Sequence, residues 1–346
     1  MTAAAAATAL RIHGGRVDLA ASAYPDAPQP WIDLSTGINP TAYPIPTLAA
    51  AAFARLPLTT ELDELCAAAA EAYGLPGGAV VLPAPGSEIA IRLAPLVLTP
   101  PQPSIAQVGI LGPTYGSHAA AWRAAGAQVH ELGALPDPQA HFDVVVLVNP
   151  NNPDGHLIAP EPLADFAECW TASGKRLVID EAFGDLRPEL SVLGGAALPR
   201  GVVVLRSLGK FFGLAGLRLG FVVVNAGDAP RWRDLLGDWA ASGPACTIAT
   251  AALRDKAWIA ATRSRLAADR GRLDATLAAA QLEPRGGTDL FGFYESADDG
   301  DLVDRFARAG ILIRGFDHSP RLYRFGLPAD EPAWQRLQRI CDTVAG

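Results

Sequence analysis

Only three lysines, Lys175, Lys210 and Lys256, occur in the 346 residues, so chemistry that needs an amine nucleophile has few places to happen. Lys210 stands apart by its setting. It lies in Ser207-Leu208-Gly209-Lys210-Phe211-Phe212-Gly213-Leu214-Ala215-Gly216-Leu217-Arg218-Leu219-Gly220, among apolar residues and glycines that favour the neutral, nucleophilic amine. Four further clusters each follow an apolar run. Pro85-Gly86-Ser87-Glu88 opens a helical pattern (Ile89, Leu93, Leu96, Val97), where free N–H groups and the helix dipole can cup an anion, or Ser87 can simply cap the helix. Gly112-Pro113-Thr114-Tyr115 places an aromatic ring where it either covers a planar ligand or joins the core. Asn149-Pro150-Asn151-Asn152-Pro153-Asp154-Gly155 is a rigid turn whose asparagines either stabilise it or serve a ligand. Asp180-Glu181-Ala182-Phe183 sets acids at the end of a buried strand, and both a structural ion pair and a functional carboxylate stay open.

One ligand meets all five requirements together. Pyridoxal 5'-phosphate has an aldehyde that traps a lysine, a pyridine nitrogen that wants an acid, a phosphate that wants N–H groups and an arginine, and a flat ring to stack. Lys210 would bind the aldehyde and later exchange a proton with the substrate's α-carbon, while Asp180 would keep the ring nitrogen protonated.

The elements that must position these groups can be read from hydrophobic period. Val80-Val81-Leu82, Ile105 to Leu111, Val144 to Val148, Leu177 to Ile179, Val202 to Leu205 and Phe221 to Val224 are continuous apolar runs. Helical patterns lie between several of them, such as Leu163, Phe166, Ala167 and Trp170 at i, i+3, i+4 and i+7. That alternation predicts a mostly parallel sheet covered on both faces, an α/β unit with the clusters at the carboxyl ends of its strands. Earlier in the chain, Thr60 is expected to cap a helix whose face is Leu62, Leu65, Cys66, Ala69 and Tyr73, ending near Gly74. From about Ala245 to Ala280 the sequence is helical, and short strands (Leu290 to Tyr294, Ile311 to Arg314) then alternate with a helix at Leu302 to Ala309. The expected division is a large domain over residues 41–244 and a smaller α+β domain from residues 1–40 and 245–346.

Composition narrows the partners. A net charge of −8 and a pI near 5.3 disfavour a nonspecific grip on nucleic acid or an anionic membrane. Four dispersed cysteines and six scattered histidines give neither a disulfide framework nor a metal site. The alanine-rich start has no signal-peptide pattern and no apolar run spans a bilayer, so a soluble, cytoplasmic protein with a frayed N-terminus is expected.

The ordered set G-S-E, P-T-Y, N-P-N-N-P-x-G, D-E-A-F and S-L-G-K-x-x-G-L-x-G-x-R-x-G resembles the fold-type-I aminotransferase superfamily, in the branch of histidinol-phosphate aminotransferase, from about Asp33 to Pro328. The resemblance implies a large domain with a mostly parallel seven-stranded sheet and a smaller α+β domain. It also implies Lys210 as the Schiff-base lysine, Asp180 at the pyridine nitrogen, Asn152 at the ring hydroxyl and Tyr115 on the ring. Gly86, Ser87 and Glu88, with Ser207 and Arg218, would hold the phosphate. Within the branch, His13-Gly14-Gly15, the run Ile32 to Pro40 containing Gly37, and Arg324-Phe325-Gly326-Leu327-Pro328 are similar to the cobalamin-pathway threonine-phosphate decarboxylases. This implies decarboxylation of L-threonine O-3-phosphate to aminopropanol phosphate. Arg324, assisted by Arg314, would bind the carboxylate, His13 the substrate's phosphate, and Gly37 would complete the substrate contacts. An aminotransferase acting on a phosphorylated substrate such as histidinol phosphate uses the same groups. A cofactor-binding partner subunit of a cobalamin synthase is the reading from another class. The family implies a homodimer. Two positions depart from it: Phe183 stands where many relatives have Tyr, and Leu56-Pro57 where Tyr-Pro reaches the neighbouring subunit's cofactor.

Overall fold

Valine-rich runs with no polar alternation become strands buried from both sides. The computed structural model describes residues 14–99, 105–297, 301–316 and 319–344. His13 and the alanine-rich start lie outside them. The chain forms two units, one of Tyr43–Asn152 with His156–Trp258, the other of the residues up to Ala42, Pro153–Gly155 and those from Ile259 on. The helix expected over Ala245 to Ala280 is two helices, Gly243–Arg254 and Lys256–Ala278, because Asp255 leaves helical geometry and its carboxylate accepts the Trp258 N–H at 2.9 Å. The first of these belongs to the larger unit, so the division falls after Trp258 rather than at 244/245.

The larger unit holds a seven-stranded sheet of β2 (Ala79–Ala84), β3 (Gln107–Leu111), β4 (Gln128–Leu132), β5 (Val144–Val148), β6 (Arg176–Asp180), β7 (Val202–Ser207) and β8 (Gly220–Asn225), in spatial order β2-β8-β7-β6-β5-β3-β4. Pairing is parallel throughout except that β8 runs against both β7 and β2. Val146, Val178, Val203 and Val222 join one buried cluster with Ile91, Trp122 and Trp232. Their strand neighbours Leu177, Ile179 and Val204 are equally buried, as a sheet covered on both faces requires. Each such side chain contributes about 1.5–3 kcal/mol of burial. Leu163, Phe166, Ala167 and Trp170 are the buried face of the helix Pro160–Ala172, as their spacing predicts.

Two helices differ from expectation in detail. The helix Thr59–Tyr73 ends at Gly74, whose φ of +58° lets its N–H and that of Leu75 turn back to Glu71 and Ala70. At its start Leu58, not Thr60, is the cap, and Glu61 accepts the Leu58 N–H at 2.8 Å. The helix Ser87–Leu98 buries Ala90, Ile91, Ala94, Val97 and Leu98, leaving Ile89 and Leu96 exposed. Strand β4 was not anticipated. Its sequence Gln-Val-His-Glu-Leu is that of an edge strand, only partly buried.

The smaller unit is α+β. β9 (Leu282–Thr288), β10 (Phe291–Ser296), β12 (Arg314–Phe316) and β13 (Ser319–Gly326) form an antiparallel sheet in the order β12-β13-β10-β9, and β1 (Ile32–Asp33) pairs in parallel with β11 (Ile311–Leu312). No helix among the described residues is long and apolar enough to cross a membrane.

Candidate active site

In a sheet whose strands mostly run one way, the carboxyl ends of β3, β5, β6 and β7 lie along one edge. The reversed β8 begins there and the chain leaves β2 there, because Ala84 and Ser207 both pair with Gly220. A cavity of about 130 Å³ opens at this edge. Gly86, Ser87, Glu88, Tyr115, Asn152, Asp180, Ser207, Lys210 and Arg218 all line it, together with Val148, Ala182, Phe183, Gly209, Ala215 and Leu219.

At one end the helix Ser87–Leu98 points its free N–H groups into the cavity. Gly86, at φ +86°, occupies the cap position, so Ser87 is the first helical residue and its hydroxyl is not used in capping. A Cβ on Gly86 would lie 2.8 Å from Arg218 Nη2, which explains why only glycine lets the guanidinium reach this turn. Arg218 itself adopts a left-handed conformation (φ +54°) and donates to the Ala215 carbonyl at 3.0 Å.

At the other end stands Asp180, buried at the last position of β6. Its Oδ1 accepts the Ala182 N–H at 3.0 Å, and its Oδ2 accepts Nε2–H of the fully buried His118 at 2.9 Å. His118, on the helix Gly116–Ala124, is a residue that sequence reasoning missed. The adjacent Glu181 does the structural work. Its carboxylate accepts from Ser191 Oγ (2.5 Å), the Val192 N–H (2.9 Å) and Arg206 Nη1 (2.9 Å), while Arg206 Nη2 donates to Asp185 at 2.7 Å. Burial works against the Arg206 charge, but Asp185 and Glu181 outweigh it and hold its pKa above the usual arginine range. Thus the two acids left open by the sequence divide the roles, Glu181 tying strands together and Asp180 facing the cavity.

Between these ends lie the ring-sized contacts. Tyr115 precedes the helix Gly116–Ala124, donates its hydroxyl to Glu88 Oε2 at 3.2 Å, and meets the His118 ring edge-on at 6.3 Å. Burial holds its phenol above the ordinary tyrosine pKa, so the hydroxyl stays protonated. The Asn149 side chain closes its own loop through Ile158, donating to the carbonyl at 3.0 Å and accepting the N–H at 2.8 Å. Asn151 ties that loop to the tyrosine turn by donating to the Pro113 carbonyl and accepting from Thr114 Oγ1 at 2.6 Å. Those two asparagines stabilise the turn, which leaves Asn152 as the one lining the cavity. Lys210 Nζ lies 5.7 Å from the centre of the Phe183 ring.

This lining fits pyridoxal 5'-phosphate. An amine, a buried carboxylate held by an imidazole, a helix start cleared by a glycine beside an arginine, and an aromatic ring are gathered in one cavity.

The expected substrate residues Arg324, Arg314 and Gly37 belong to the smaller unit. Arg324 is buried on β13, donates to the Ser35 carbonyl at 2.6 Å, and lies 5.1 Å from the Phe291 ring centre. Arg314 is its direct cross-strand partner on β12. Gly37 is buried in the run after β1, where Asp33 accepts from the N–H and hydroxyl of Ser35.

Residues 17–296 match the family model described as aminotransferase class I and II. The chain is 42% identical to a threonine-phosphate decarboxylase of Sinorhizobium sp., covering 94% of this chain and 96% of that one. It is 41% identical to a threonine-phosphate decarboxylase of Pseudomonas aeruginosa, covering 94% and 95%. Its fold is similar to that of histidinol-phosphate aminotransferase from Sinorhizobium meliloti, solved in complex with pyridoxal-5'-phosphate, with a TM-score of 0.73 at 21% identity, covering 86% of this chain and 84% of that one.

Proposed function

Because the chain belongs to the aminotransferase class I and II family, we propose that it uses pyridoxal 5'-phosphate to decarboxylate L-threonine O-3-phosphate, giving aminopropanol phosphate for cobalamin biosynthesis. The observation that carries this reading is identity above 40% to threonine-phosphate decarboxylases over nearly the whole chain. When bound, the cofactor supplies an electron sink for the pair left on the α-carbon as carbon dioxide departs. Lys210 would hold its aldehyde and would return a proton to the α-carbon. Asp180, oriented by His118, holds the proton on the ring nitrogen. Asn152 takes the ring hydroxyl and Tyr115 covers the ring. Gly86, the N–H groups of Ser87 and Glu88, Ser207 and Arg218 would hold the phosphate, while the Gly86 N–H itself donates to the Ala84 carbonyl at 2.6 Å.

In this proposal Arg324, assisted by Arg314, takes the substrate carboxylate, for which a guanidinium offers a two-point match. His13 and Gly37 complete the substrate contacts in this proposal. Which α-carbon bond breaks would be set by how the substrate-binding residues orient the substrate. We further propose a cytoplasmic homodimer, in which a second copy covers the exposed Ile45, Phe53, Leu56 and Leu58. A cobalamin synthase would be the partner that receives the product.

The test is incubation of the purified protein with L-threonine O-3-phosphate while gas release and keto-acid formation are followed together. Carbon dioxide release in step with substrate loss is expected. Keto acid without gas would replace the proposal by an aminotransferase reading.

A further inference from the structure

A carboxylate in the anion cup needs explanation. Glu88 is the second residue of the helix Ser87–Leu98 and lines the cavity beside Ser87 and Arg218, where the helix dipole and free N–H groups favour a phosphate. An uncompensated carboxylate there would compete with a dianion for the same field. Its side chain is occupied on both oxygens. Oε2 accepts the Tyr115 hydroxyl at 3.2 Å, and Oε1 meets Arg92 Nε and Nη2, each at 3.0 Å. Arg92 lies one turn further along the same helix, with the acid N-terminal to the base, the better order for such a pair. Its side chain is 57% exposed and it does not line the cavity.

The charges of the lining sharpen the point. They are Glu88 and Asp180 against Lys210 and Arg218. With Asp180 at the ring nitrogen and Lys210 at the aldehyde, the phosphate end holds Arg218 opposed by Glu88. We propose that Arg92 is a positioning residue for cofactor binding: it neutralises Glu88, so that this carboxylate holds the Tyr115 hydroxyl without opposing the cofactor's phosphate. The proposal rests on the reading of the cavity as a pyridoxal 5'-phosphate site.

The experiment titrates the cofactor-free protein with pyridoxal 5'-phosphate and with pyridoxal, which lacks the phosphate, following visible absorption and the dissociation constant. The variants are Arg92→Gln, Glu88→Gln and the double substitution. Glutamine at 92 keeps helix propensity, and glutamine at 88 keeps an oxygen for Tyr115 while removing the charge. Arg92→Gln is expected to weaken pyridoxal 5'-phosphate binding about two- to fivefold, within the range of an exposed pair, and to leave pyridoxal binding unchanged. The loss should shrink with added salt, and Glu88→Gln should restore affinity in the Arg92→Gln background. Unchanged affinity in Arg92→Gln, an equal loss for pyridoxal, or no rescue in the double variant would overturn the inference. Absence of pyridoxal 5'-phosphate binding by the unaltered protein would instead overturn the cofactor reading beneath it.

Discussion

Replacing Arg206 by methionine tests the claim that a buried charge clamp sets the lysine loop against the acid strand. Arg206 ends two charge-assisted hydrogen bonds, to Glu181 at 2.9 Å and Asp185 at 2.7 Å, and its guanidinium lies 4.3 Å from the Tyr73 ring centre. Both acids are buried, so water cannot stand in for the lost guanidinium. Removing one partner of such a network costs about 3–5 kcal/mol. At about 2–4 °C per kcal/mol, the thermal midpoint should fall by the order of 10 °C. Lysine at 206 keeps a cation without the planar fork that spans both acids, so its loss should be intermediate. Circular dichroism melting of the cofactor-free protein measures these values. The local consequence is read separately, by borohydride trapping of pyridoxal 5'-phosphate on Lys210, which should fall in yield because Arg206 lies just before Ser207 in the same strand. A methionine variant that melts within about 2 °C of the parent would refute the clamp and with it the division of labour between Glu181 and Asp180.

Lys210→Ala should leave a folded protein that binds pyridoxal 5'-phosphate without the visible band of the lysine adduct and releases no carbon dioxide, checked by absorption spectroscopy and gas assay. His118→Phe removes a hydrogen bond to a buried carboxylate, worth about 1.5–3 kcal/mol, so cofactor affinity should fall roughly tenfold or more in a spectroscopic titration. Burial pushes the thiols of Cys66 and Cys246 up to about 11 and that of Cys341 to about 12, from an ordinary value of 9.0. The unfolded chain would give up these protons at lower pH than the folded one, so their contribution to stability is complete below about pH 9 and is lost as pH rises toward 11. Urea unfolding midpoints on either side of pH 9 measure this. In the native protein the exposed Cys169 should be the thiol that a disulfide reagent modifies fastest, identified by mass spectrometry of the labelled peptides.

The cavity lining was legible because most of its residues sit at or shortly after the carboxyl end of a recognisable strand, with Arg218 just before β8. Chain geometry then carries all of them to one edge of the sheet, and nine sequence-identified residues line one cavity. His118 was not legible. Nothing local distinguishes a histidine in the first turns of a helix, and its partner Asp180 lies 62 residues away. Arg206 was hidden for the same reason, its function depending on acids 21 and 25 residues earlier. In the fold, β9 reads Leu-Glu-Pro-Arg-Gly-Gly-Thr, turn-like residues that become a strand through pairing with β10. The inward face of the helix Ser87–Leu98 was obscured because nearly every position in it is apolar or alanine, so period alone does not select a side.

The reversed direction of β8 makes three distant stretches of sequence mechanically interdependent. Gly220 is the shared rung, facing Ser207 on one flank and Ala84 on the other, and a Cβ there would collide with the Ser87 N–H at 2.5 Å. Sliding that strand by a single position would exchange the side chains it presents to its two buried faces and carry Arg218 away from Gly86 in the same movement. Misthreading at this one ribbon would therefore part the guanidinium from the glycine turn even with every other strand in place.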